Sequence, residues 1–180
     1  MSYNQLYTFL KDKGVNEKYI KRSCEIRNKI NINVKRIIPI AFYCLYQAYR
    51  ELGETMPYMD VAALVGLNTK KIHKALSDFA AHKTGYHPPI VDVTIKDLVI
   101  YYNNKLGHKN KENKILNYYQ NVITYLYEND DIVLNRKPYI IASAIVYCYY
   151  SDEMVDPDQF FNFDTKVIQS IIGQIYKIDI

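Results

Sequence analysis

Apolar residues recur at three- and four-residue steps along most of the chain, in ten segments parted by short polar joints. The second half carries the clearest period. Ile95, Leu98, Val99, Tyr102 and Leu106 predict one helix, and Gly107 is placed to end it in a left-handed conformation. Ile115, Tyr118, Tyr119, Val122 and Leu126 predict a second, running out in the acidic "ENDD" stretch from Glu128. Pro138 suits the first turn of a third helix, where its missing N–H would be unpaired anyway. The residues that follow, Ile140 to Ala142 and Ala144 to Val146, are apolar all round and predict a buried central helix. A short fourth helix is expected over "DPDQFFN" from Asp156, and a fifth from Asp164 or Thr165, either of which can cap it.

The first half repeats that order, with helices expected over Leu6 to Lys13, Glu17 to Ile30, Ile38 to Leu52, Tyr58 to Val65 and Thr69 to Ala81. Pro39 places the start of the third at Ile37 or Ile38. The central helices align at one offset, Ala41 and Tyr46 answering Ala142 and Tyr147. Each half also ends on one motif: "GLNTKKI" from Gly66 and "NFDTKVI" from Asn162. Between the halves, "HKTGYHPPIVD" combines glycine, two prolines and polar residues. The pattern predicts an all-α protein of two tandem five-helix repeats, at 1–83 and 93–180, with 84–92 as linker.

Composition agrees with a folded chain: 49% of its 180 residues are hydrophobic and 23% charged, with only six glycines and six prolines to supply turns. The longest apolar run, "IIPIAFYCLYQAY" from Ile37, falls short of the roughly 20 residues a membrane span needs, so no membrane partner is expected. No signal-peptide order appears at the start, and three cysteines make no paired disulfide framework, so an intracellular protein is expected. The net charge of +4 suits nucleic acid without demanding it. Abundant Tyr, Ile, Lys and Asn point to an A+T-rich coding sequence, as in many viral or parasitic sources.

Catalytic chemistry has little to work with. Cys24, Cys44 and Cys148 form no C-x-x-C pair and read as small buried residues; His73, His82, His87 and His108 lack ligand spacing. Glu128, Asp130 and Asp131 read as a solvated loop, and neither a phosphate loop nor a nucleophile elbow occurs. No enzyme, metal or cofactor is expected.

The tandem unit, with its Ala-rich third helix and terminal short helix, turn and helix, resembles the cyclin fold, and more closely the repeats of the transcription factor IIB family. "IKDLVIYYNNKLG", "NRKPYIIASAIVYCYY" and "FDTKVIQSIIGQIYK" carry the resemblance in the second half; "IPIAFYCLYQAY" and "VAALVGLNTKKIHKAL" carry it in the first. The resemblance implies cyclin-like repeats, binding of double-stranded promoter DNA beside a TATA-binding protein, and recruitment of RNA polymerase, in a nucleus or a cytoplasmic viral factory. Each terminal helix-turn-helix would face the DNA, its backbone N–H groups meeting phosphate. Lys70, Lys71 and Lys74 would neutralise phosphates, with Lys35 and Arg36 extending the basic face. The match places Lys166 and Gln169 at base-reading positions, beside Thr165, and Gln can pair bidentately with adenine. The family commonly has Arg where Gln169 stands, and usually an amino-terminal zinc ribbon that no cysteine pair here supplies.

Two readings compete with this one. The Asn68 and Asp164 motifs are also ordinary helix caps and the lysines a solvated face. A cyclin-like regulator binding a protein kinase or other protein partner is the second; a kinase-binding cyclin should show a Lys on the third helix and a Glu on the fifth of its first repeat. Arg50 and Glu51 end the third helix instead, and the fifth has no Glu.

Overall fold

A computed structural model describes residues 2–32, 36–129 and 135–178. Among them the chain forms eleven α-helices and no strand. It divides into two compact units, Met1–Val91 and Asp92–Ile180, each with its own apolar core.

In the first unit α1 (Tyr3–Asp12) starts where Ser2 and Gln5 close a capping box, three residues before the apolar period begins. Asn16 caps α2 (Glu17–Lys29), and α3 (Ile37–Glu51) follows. Pro39 is tolerated because it lies in the first turn, where amides have no intrahelical partner. Nine α3 residues from Ile40 to Tyr49 are buried, which makes α3 the helix around which α1, α2, α4 (Tyr58–Val65) and α5 (Ile72–Asp78) pack.

The single helix expected from Thr69 to Ala81 is broken. A 3₁₀ turn at Thr69–Lys71 precedes α5, and the extended Ala80 (ψ 151°) separates α5 from the one-turn α6 (Ala81–Thr84). The expected linker 84–92 also begins inside the first unit. Thr84 and Tyr86 are buried; the Tyr86 hydroxyl donates to Glu51, whose carboxylate also accepts from Arg22. Burial raises the Tyr86 pKa, so it remains a neutral donor. Tyr86 is a packing residue because it supplies a ring to the core, beside Tyr43, and a hydroxyl to a nearly buried carboxylate. No short-range spacing announces either contact.

The second unit comprises α7 (Ile95–Lys105), α8 (Glu112–Asn129), α9 (Pro138–Tyr150), α10 (Pro157–Phe161) and α11 (Gln169–Ile175). Thr94 and Asp97 close a second capping box, Gly107 takes φ +84°, and Pro138 occupies the first turn of α9. Seven α9 residues between Ile141 and Tyr150 are buried against α7, α8 and α11. The buried Tyr150 hydroxyl donates to Asn103 Oδ1 (2.7 Å), and Asn103 Nδ2 donates to the carbonyl of His108 (2.9 Å). The His108 ring stacks on Tyr150 and bonds Glu153, which gives this histidine a structural place.

Cys24 and Cys44 are buried and Cys148 is half-buried; burial pushes the Cys24 thiol up to about 11, Cys148 to about 12, and Cys44 upward as well. The thiols are therefore neutral packing groups near pH 7. Among the described residues no cluster of His, Cys, Asp or Glu is arranged to hold a metal ion, and no helix is long and apolar enough to cross a membrane. Glu128 is exposed near the end of α8, while Lys35, Asp130 and Asp131 lie outside the described residues.

Candidate nucleic-acid interface

The repeated motif folds the same way twice. Helix α4 ends at Gly66 with φ +76°, and α10 ends at Asn162 with φ +59°; both are left-handed residues that turn the chain sharply. Asparagine is the non-glycine residue that tolerates this conformation best, so the sequence difference leaves the turn unchanged. Next comes an apolar plug, Leu67 or Phe163, and then an extended capping residue, Asn68 or Asp164. Asn68 Oδ1 accepts from the amide of Lys70 (3.0 Å), and Asp164 Oδ1 from that of Lys166 (2.9 Å). A 3₁₀ turn follows in each, over Thr69–Lys71 and Thr165–Ile168, before α5 or α11. Ile72 and Ile168 bury at the equivalent step and pin each turn to its core.

Around the first turn the charge is positive. Lys70, Lys71 and Lys74 are all exposed and fall within about one helical turn of one another. Beside them opens a cavity of about 400 Å³, with Ile37, Ile38, Pro39 and Leu67 in its wall and Arg36 and Lys71 among its lining. Among the described residues no carboxylate lines it.

Around the second turn the charge is mixed. Lys166 and Gln169 are exposed, whereas Thr165 is half-buried and held from outside the motif. Asp158, on α10, accepts from the Thr165 amide at 2.8 Å. Hydrogen bonds from the Thr165 side chain and amide keep the Asp158 carboxyl below the usual carboxylate range, with Lys166 adding to the effect. Phe163 packs among aromatic rings, edge-on to Tyr139 at 5.6 Å and 5.8 Å from Phe161.

These bonds change one expectation. The amides of Lys70, Thr165 and Lys166 already have side-chain acceptors, and that of Lys71 bonds the carbonyl of Asn68. Phosphate contact would fall to the lysine side chains rather than to these N–H groups. The structure thus brings Lys70, Lys71 and Lys74 together on the first unit, and Thr165, Lys166 and Gln169 on the second. It also identifies two residues the sequence reading passed over. Asp158 is visible only through its contact seven residues away, and the apolar Val167 stays 53% exposed between Lys166 and Ile168. No family model matches the chain, and a search of curated proteins returns no match.

Proposed function

We propose that the chain is the core of a transcription initiation factor of the transcription factor IIB type, built of two cyclin-like repeats. It binds double-stranded promoter DNA together with a TATA-binding protein and helps recruit RNA polymerase. The observation that carries this reading is the repeated capped turn, which twice presents exposed cationic or amide side chains at the start of a terminal helix. Lys70, Lys71 and Lys74 supply phosphate neutralisation without sequence information; Lys166 and Gln169 supply base reading. The cavity beside the first turn offers a protein partner an apolar wall with Arg36 and Lys71 for an acidic neighbour, which fits a TATA-binding protein docking there. The kinase-binding alternative gains no such support, since Glu51 is engaged by Arg22 and Tyr86 within the first unit.

A gel shift on a TATA-containing duplex, with and without TATA-binding protein and over a salt series, tests the proposal. A shift that strengthens as salt falls is expected, because binding led by phosphates releases counterions. No shift at low salt under either condition would reject it.

A further inference from the structure

The cavity beside the first turn lies within the first unit and joins an apolar wall to a cationic lining. At about 400 Å³ it falls in the size range of sites that accept a ligand or a few side chains of a partner. Leu67 is buried at its wall, while Ile37, Ile38 and Pro39 are only half-buried, so covering them further is favourable. Arg36 and Lys71 are exposed, and among the described residues no carboxylate pairs with either. Elsewhere on the same unit exposed cations do find carboxylates: Lys18 meets Glu54 at 3.3 Å and Lys21 meets Glu17 at 2.9 Å. Arg36 also occupies the N-cap position of α3 and offers its first amides no side-chain acceptor, so the positive end of a 15-residue helix adds to the same field. The wall and the two cations together fit an occupant that is apolar at its centre and anionic at its edge.

We infer that the cavity takes an acidic peptide segment of a partner protein. One bulky apolar side chain of the segment seats against Ile37, Ile38, Pro39 and Leu67, and carboxylates beside it meet Arg36 and Lys71. The inference rests on the docking role given to this cavity above and supplies the chemistry of the docked segment; it requires no duplex. Arg36 can hold a carboxylate through two parallel N–H bonds, whereas Lys71 acts as a point charge. Exposed ion pairs are weak, so the apolar side chain gives most of the affinity and the carboxylates give the selectivity. A basic segment would meet like charge at both cations. Lys70 and Lys74 stand outside the lining and take no part.

The test is a titration of the full 180-residue chain with the peptide Gly-Ser-Asp-Asp-Phe-Asp-Asp-Ser-Gly, followed by the NMR methyl signals of Ile37, Ile38 and Leu67. Those signals should shift and saturate, more tightly at low salt, while the methyls of Ile168 and Ile172 stay in place. Replacing the peptide's Phe by Ala should weaken binding by about ten-fold, and Arg36→Ala and Lys71→Ala should each weaken it on the order of two- to five-fold. Lys70→Ala/Lys74→Ala should bind the peptide nearly as the parent does; all these positions are exposed, and circular dichroism should show the variants folded. Equal binding of the peptide with Asn for every Asp, undiminished binding in both cavity variants, or no methyl shift at low salt overturns the inference. So does a dimer in sedimentation that is lost in Arg36→Ala/Lys71→Ala, which gives the cavity to a second copy of the chain. A duplex shift without peptide binding overturns the inference and leaves the DNA-binding function standing. Peptide binding at these methyls with no duplex shift at low salt upholds the inference and rejects that function.

Discussion

The turns at 66–72 and 162–168 share a backbone and differ in what surrounds it. Each runs from a left-handed residue through an apolar plug and a side-chain cap into a 3₁₀ turn and a buried isoleucine. The first uses a neutral cap, Asn68, and shows three lysines beside a cavity with Arg36 and Lys71 in its lining. The second uses Asp164, braces Thr165 with Asp158 and shows one lysine, a valine and a glutamine. Backbone geometry is thus held by capping chemistry that tolerates substitution, while the exposed positions are free to diverge. Under the proposed function the two turns would have two jobs, charge neutralisation at the first and base discrimination at the second.

The largest expected effect concerns how each turn is seated. Phe161 is fully buried and meets Tyr102 at 5.0 Å, Phe160 at 4.8 Å and Phe163 at 5.8 Å. Phe161→Ala should therefore cost about 3–5 kcal/mol of stability, measured by urea unfolding, because the surrounding rings cannot close the cavity fully. Next is the conformational demand at the first turn. A Cβ added at Gly66 would meet nothing within 4 Å, so Gly66→Ala should cost only the left-handed penalty, about 1–2 kcal/mol. Gly66→Asn should recover most of that loss, since Asn162 holds the same conformation in the other copy. Removing the caps comes next: Asn68→Ala and Asp164→Ala should each lose about 1 kcal/mol, read in the same unfolding assay.

The smallest effect distinguishes the copies by pH. The Asp158 carboxyl is held down by its bonds to Thr165, so its folded pKa lies below its unfolded one. A depressed value stabilises the fold fully above the unfolded pKa, and the contribution is lost as pH falls through the folded one. Asp158→Asn should thus be less stable than the parent at pH 7, with the gap narrowing below about pH 4. Among the described residues no carboxylate braces the first turn in this way, and Asn68→Ala should show no comparable narrowing.

Much of this was legible in the sequence, for reasons particular residues make plain. The bounds of α2, α3, α4 and α7 follow from apolar period and from Asn16, Pro39, Gly66 and Gly107, which act within a turn of where they stand. The start of α1 was missed because Ser2 and Gln5 close a capping box ahead of the apolar period. The helix expected from Thr69 to Ala81 broke because a residue such as Ala80, with no signal of its own, adopts an extended conformation. Contacts over longer separations left no mark: Tyr86 with Glu51, Tyr150 with Asn103, Asp158 with Thr165. At the candidate site, lysines and Gln169 could be named from letters, whereas the solvation of Val167 and the bracing of Thr165 needed coordinates.

The central claim is the division of labour between the turns, and one measurement reaches it directly. Binding of a TATA-containing duplex and of an unrelated duplex would be followed over a salt series, with TATA-binding protein present, for three proteins: the parent chain, Lys70→Ala/Lys71→Ala/Lys74→Ala, and Lys166→Ala/Gln169→Ala. The account predicts that the first variant binds both duplexes more weakly and loses up to about three from the slope of log affinity against log salt. The second variant should keep most of that slope and lose its discrimination between the duplexes. Equal loss of discrimination in both variants, or an unchanged salt slope in the first, would contradict it.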